Sequence, residues 1–153
     1  VYFLPGIPSV YYGSEFGIEG KKEGPDDSPM RPRLEPERII SENPHPDLTG
    51  WIRTLGRIHR ESQAAVYGVY KELVLTNCQY VFGRILDEET LIVAVNCDEN
   101  SGAELEVSVP AEGMEYEDAV TGEACAASDG RLRIGLEAAG CRIFRGRKEG
   151  ERV

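Results

Sequence analysis

The stretch GIPSVYYGSEFGIEG, residues 6–20, decides how the chain is read. Ile7 to Tyr12 is rich in β-branched and aromatic residues and has no polar alternation, the pattern of a strand covered on both faces. Pro8 restricts that strand and fits its first residues. At Gly13 the run breaks into a glycine-rich acidic loop. Upstream stands only a short apolar stub, Val1 to Leu4, closed by Pro5-Gly6.

Downstream, positions 13–29 hold six Gly or Pro, and more proline follows to residue 46. A loop of this length in a compact domain is functional or disordered. From Asp47, the expected N-cap, the period changes. Leu48, Trp51, Ile52, Leu55 and Ile58 form one helical stripe, predicted to run to Ala64 or Ala65. Gly50 and Gly56 each cost this helix about 1 kcal/mol, so packing has to hold it.

After Gly68 the pattern is short strands separated by turns: 71–76, 80–86, 90–95, 103–109, 117–120, 131–136 and 142–144. Alternation in Glu104–Val109 and Arg131–Leu136 predicts an antiparallel sandwich with one wet face. The charged tail from Gly146 is expected to fray. A lone strand and helix lack sheet neighbours, so the first third is expected to be the end of something larger. With Val1 in place of Met, the native start is expected to lie upstream.

Composition narrows the function. The chain has 153 residues, 27 acidic against 17 basic, and a net charge of −10. A phosphate backbone is repelled by that balance, so no nucleic-acid partner is expected; neutral sugars carry no such penalty. No run approaches the ~20 apolar residues of a membrane helix, and no membrane partner is expected. Cys78, Cys97, Cys125 and Cys141 form no C-x-x-C and read as reduced thiols of a cytoplasmic protein. His45 and His59 have no companions at ligand spacing, so no metal site is expected.

Gly6-Ile7-Pro8-Ser9-Val10-Tyr11-Tyr12-Gly13-Ser14-Glu15-Phe16-Gly17 resembles the last-strand motif of the α-amylase superfamily, glycoside hydrolase family 13. Trp51–Glu61 is similar to the final barrel helix of that family, and Ala64-Ala65-Val66-Tyr67-Gly68 to the exit from it. Tyr116–Gly122 resembles the penultimate hairpin of the sandwich that follows the barrel. The look is nearest to maltodextrin-degrading, neopullulanase-like α-glucan hydrolases. The resemblance implies the end of a (β/α)8 barrel (one strand, a loop, one helix) followed by an all-β antiparallel sandwich. Residues 1–66 would close the barrel with a substrate loop at 13–46, 67–148 would form the sandwich, and 149–153 a tail. The ribbon's neighbours would be upstream barrel strands of the same polypeptide.

The resemblance further implies a retaining enzyme that cuts or transfers α-1,4 or α-1,6 glucosidic bonds in α-glucan oligosaccharides. Such enzymes need two carboxylates about 5–5.5 Å apart across the bond. In the family these lie on earlier strands, so no catalytic residue is assigned and this segment alone is expected to be inactive. Asp26-Asp27, the adjacent acidic pair of the loop, reads as a solvated turn. Asp27 and Arg31 have the D-x-x-x-R spacing that in relatives sets an acid and an arginine against a bound sugar; a carboxylate accepts from vicinal hydroxyls and a guanidinium donates to them. The alternative is a surface ion pair that orders the loop. Tyr11 reads as core, Lys21 and Lys22 as solvated, and Trp51 as packed. No cofactor is expected; family members that bind calcium do so with upstream ligands. A reading from a different class is a stand-alone sugar-binding or interaction sandwich, and a third is a sandwich serving packing or dimerisation.

Overall fold

The computed structural model describes residues 1–110 and 114–148. The expected tail, 149–153, lies outside them. Helices occupy the first part: α1 (Pro36–Ser41), α2 (Pro46–Glu61) and α3 (Gln63–Tyr67), with single 3-10 turns at Ser14–Phe16 and Ser28–Met30. Among the described residues nine strands follow: β1 (Val69–Leu75), β2 (Gln79–Ile85), β3 (Glu89–Asn96), β4 (Ala103–Ser108), β5 (Met114–Asp118), β6 (Ala124–Cys125), β7 (Ala127–Ser128), β8 (Arg131–Leu136) and β9 (Cys141–Lys148). They make two antiparallel sheets, ordered β1-β2-β3-β9-β5-β6 and β4-β8-β7. The expected sandwich is present.

Its wetting differs from expectation. In the small sheet the alternation holds: Leu132, Ile134 and Val107 turn inward, while Arg131 and Glu106 pair at 3.0 Å on the solvent side. The large sheet is covered on both faces. Val81, Ile92, Ala94 and Phe144 pack against the small sheet, while their chain neighbours Phe82, Leu91, Val93 and Ile143 pack against Phe3, Ile58, Ala64 and Ala65. This is why Thr90–Val95 carries no polar alternation: helix lies on one side of β3 and sheet on the other. Each Val, Leu, Ile or Phe side chain among them stabilises the fold by roughly 1.5–3 kcal/mol.

Corrections concentrate in the first third. Ile7–Tyr12 forms no strand: no described residue offers it a ladder, and without cross-strand hydrogen bonds an extended chain is not a sheet. Ile7 is 95% exposed and Tyr11 63% exposed, so Tyr11 is not core within this chain. The region 13–46, read as loop, contains α1, started by Pro36 at its first turn. The main helix starts two residues early, with His45 at the N-cap position and Pro46 at N1; Asp47 sits in the first turn, where its charge suits the helix dipole. It ends at Glu61, and Ser62 caps the separate α3 by accepting from the Ala65 amide at 3.0 Å.

The helical stripe is buried unevenly. Ile58 is fully buried, Leu55 is packed at the edge of the cluster, and Trp51 remains 46% exposed, because the sandwich underlies only the C-terminal half of α2. Strand β5 stops at Asp118, whose carboxylate accepts from the Val120 and Thr121 amides at 2.9 and 3.1 Å and turns the chain. Strand β9 reaches Lys148, past the predicted fray at Gly146, because Gly146 pairs with Thr90 and Tyr116 on its two sides.

Candidate functional site

The loop between Gly13 and His45 is held at three places. Near its root, the Thr49 hydroxyl in the first turn of α2 donates to the Glu15 carbonyl at 2.6 Å and accepts from the Asn43 side-chain amide at 2.9 Å. Asn43 in turn accepts from the His45 amide at 2.9 Å. Across the loop, the Tyr12 hydroxyl donates to the Pro32 carbonyl at 2.8 Å, tying the apolar ribbon to the far limb. In the middle, Gly20 lies against Pro29 and Met30: a Cβ there would stand 2.7 Å from the Met30 Cα, so the two limbs approach as closely as glycine permits.

Asp26 and Asp27 lie on the outer bend. Asp26 accepts from the Ser28 hydroxyl at 2.5 Å and the Ser28 amide at 2.9 Å. These bonds, the hydroxyl's first, hold its carboxyl below the usual carboxylate range. Asp27 caps the position before the Ser28–Met30 turn, half-buried, with its Oδ1 3.0 Å from Lys22 Nζ. That is a charge contact rather than an aligned hydrogen bond, for the oxygen has no hydrogen-bond partner. Lys22 is therefore engaged and not merely solvated. Arg31 follows the turn on the surface, and no ion pair joins it to Asp27 among the described residues. The ordering pair of the loop is Asp27 with Lys22, and each acid of the Asp26-Asp27 doublet has its own local partner. The guanidinium of Arg31 and the ring of Tyr11 both face solvent.

A groove of about 300 Å³ opens beside the loop, lined by Phe16, Ile18, Leu34, Ile39 and the polar Glu35 and Arg38. A second, of about 690 Å³, runs between α2 and the sandwich past Trp51, Leu55, Asp118, Glu137 and Arg142. Arg142 donates to Asp118 at 2.9 Å there. Desolvation, the largest single influence on Asp118, raises its pKa, but the two turn amides and Arg142 together outweigh it and leave the carboxyl below its ordinary value.

The C-terminal end of α2 is anchored to the sandwich through groups the sequence did not single out. Glu89, 7% exposed, accepts from the Ser62 hydroxyl at 3.1 Å, the Ala64 amide at 2.9 Å and Arg145 Nε. Arg145 also donates to the Glu61 carbonyl at 2.5 Å. This buried pair bolts the α2–α3 junction to β3 and β9. Nearer the N-terminus, His59 Nδ1 lies 2.7 Å from the Tyr2 carbonyl, which can only accept, so Nδ1 carries the proton. The sequence marks neither Glu89 nor Arg145: Glu89 stands at the start of β3, next to a turn, and Arg145 is one of three arginines in β9. No group of three or more His, Cys, Asp or Glu able to hold a metal occurs among the described residues. No helix among them is long and apolar enough to cross a membrane.

No family model and no curated protein sequence matches the chain. Its fold does find counterparts, and they are enzymes of the α-amylase superfamily, in keeping with a C-terminal fragment of such an enzyme. An α-amylase from Anoxybacillus superimposes on 99% of this chain with a TM-score of 0.73 and 22% identity. A debranching enzyme from Nostoc punctiforme matches 94% with a TM-score of 0.68 and 26% identity, and a cyclomaltodextrinase 90% with 0.74 and 21%. The match covers 31%, 26% and 22% of those chains respectively, so residues 1–153 span less than a third of the length of each.

Proposed function

We propose that the chain is the C-terminal part of a retaining α-glucan glycosidase or transglycosylase acting on α-1,4 or α-1,6 glucosidic bonds in maltodextrins. Residues 1–66 close a (β/α)8 barrel with Ile7–Tyr12 as its last strand, α2 seals that strand from outside, and 67–148 buttress the helix. The observation that carries this reading is the exposure of the apolar ribbon: Ile7 at 95% and Tyr11 at 63% stand in water. Strands of a barrel on either side would remove that surface from water. The structural likeness to α-amylase-type enzymes over the whole chain, N-terminal third included, supports it.

In this reading the loop 13–46 lies at the C-terminal end of its strand, the catalytic face of such barrels. Asp27 accepts from, and Arg31 donates to, vicinal hydroxyls of a bound glucose unit, and Lys22 gives way to the sugar. The catalytic carboxylates come from the upstream barrel, and no cofactor from this segment is involved. The unbridged cysteines suit a cytoplasmic enzyme.

The test uses the whole parent polypeptide. Asp27→Ala should lower kcat/KM on maltotriose about 10- to 100-fold, the loss of a charged hydrogen bond worth 1.5–3 kcal/mol, with Tm unchanged. An unaltered kcat/KM would remove Asp27 from the sugar site. Residues 1–153 alone should not hydrolyse maltotriose; turnover by this segment that Asp27→Ala abolishes would overturn the borrowed-barrel reading.

A further inference from the structure

We propose that Cys78 and Cys97 are a redox-closable pair, joined into a disulfide by exchange with a small-molecule disulfide of the glutathione type. The two residues face each other across the open end of the β2–β3 ladder. Register there runs Gln79 opposite Asn96, so the next step sets Cys78 opposite Cys97. One backbone bond continues past the last ladder pair, the Cys97 amide donating to the Cys78 carbonyl at 2.8 Å, while the Cys78 amide donates to Thr76 Oγ1 at 3.2 Å. Opposed residues of an antiparallel pair project to the same face. One step inward the side chains of Gln79 and Asn96 already meet, with a hydrogen bond of 3.0 Å. A hydrogen-bonded antiparallel pair has its Cα atoms about 5.5 Å apart, inside the roughly 4.4–6.8 Å that a disulfide spans.

The other cysteines are placed differently. Cys125 lies opposite Tyr116, and Cys141 opposite Val95. Cys141 is thus only a diagonal neighbour of Cys97, a relation that separates Cα atoms by about 7–8 Å, beyond disulfide reach. Burial also pushes the Cys125 and Cys141 thiols up, which reduces their thiolate at neutral pH. Cys97 is exposed and Cys78 half-buried, and all four are free thiols.

The exchange balances in two steps. The Cys97 thiolate attacks one sulfur of glutathione disulfide, forming a mixed disulfide and expelling one glutathione thiolate. The Cys78 thiolate then attacks the Cys97 sulfur, forming the internal bond and expelling the second. Two protein thiols are oxidised, one small disulfide is reduced to two thiols, and the two protons pass to solvent or to the released thiolates. The bridge would staple the Asn77-Cys78 turn between β1 and β2 to the chain leaving β3. It would close beside Asn96, whose side-chain amide donates to the carbonyls of Ser101 and Glu137 at 2.8 and 3.0 Å.

The experiment is titration of the folded chain with oxidised glutathione, blocking of free thiols with iodoacetamide, and non-reducing peptide mapping. Trypsin with a glutamyl endopeptidase puts the four cysteines on four peptides, since Arg84, Glu89, Glu99, Glu123, Arg131 and Glu137 separate them. The expected product is a cross-link between the peptides of Cys78 and Cys97, absent after dithiothreitol, with Cys125 and Cys141 alkylated. In Cys78→Ser the reaction should stop at a glutathione adduct on Cys97. A Cys97–Cys141 bridge, unresolved adducts on both thiols, or no oxidation would each overturn the proposal, and an adduct-free Cys97 in Cys78→Ser would overturn the order of attack.

Discussion

Replacing Glu89 by Ala should be among the most damaging single changes in the chain. The carboxylate is almost inaccessible to water and accepts three hydrogen bonds, from Ser62, the Ala64 amide and Arg145. Alanine strands all three donors, and Arg145, itself 9% exposed, keeps only its bond to the Glu61 carbonyl. Removing one partner of a buried ion pair costs about 3–5 kcal/mol, because the surviving charge is left without compensation. Against a total stability of about 5–15 kcal/mol this is a large fraction. With a urea m-value of about 2 kcal/mol/M, the midpoint of unfolding at pH 7 should fall by about 1.5–2.5 M. Far-UV circular dichroism is the readout, with m checked for constancy. The double variant Glu89→Met with Arg145→Met removes both charges together, so the cycle should show a coupling of at least about 1 kcal/mol. A loss below 1 kcal/mol for Glu89→Ala, or strict additivity in the cycle, would refute the claim that this pair holds the α2–α3 junction to the sheet.

Trp51→Ala should cost about 1–2 kcal/mol in residues 1–153, where the ring is half exposed, and about 3–5 kcal/mol in the parent if the barrel covers it; paired urea titrations compare the two. Asp118 has a folded pKa below its ordinary 3.8, so it stabilises the fold fully above that value, and the contribution disappears as pH falls through the folded pKa. Asp118→Asn should therefore flatten the pH dependence of Tm below pH 4 as well as lower Tm at neutral pH, and an unchanged acid limb would contradict the assignment. At Gly146 a Cβ would stand 2.6 Å from the Tyr116 ring, which cannot swing away because its hydroxyl donates to the Pro110 carbonyl at 2.6 Å. Gly146→Ala should lose about 1–3 kcal/mol by overpacking, and a thermal melt within 1 °C of wild type would show that the ring has room.

The sandwich was readable strand by strand, since its turns and alternation are local. Arg131–Leu136 is the clearest case: arginines outward, Leu132, Ile134 and Leu136 inward, with the observed strand on the predicted residues. The candidate site was less readable. The Asp27–Arg31 spacing could be seen, but the engagement of Asp27 with Lys22 depends on how the two limbs of the loop fold back at Gly20. Thr49 and Asn43 hold that loop from a distance in sequence that no period marks: Thr49 reaches Glu15 across 34 residues. The Pro36–Ser41 helix was hidden by the prolines around it, one of which starts it.

Amino-acid order alone determined the main helix, the strands of the sandwich and the alternation of the small sheet. Those properties follow from backbone period and side-chain chemistry, which act over a few residues. Tertiary structure decided what covers each face. It put Ile58, Ala64 and Ala65 on the second face of the large sheet, left Trp51 beyond the sandwich edge, and brought Glu89 and Arg145 together across 56 residues. Burial and charge pairing depend on what arrives from far along the chain, and only packing determines that.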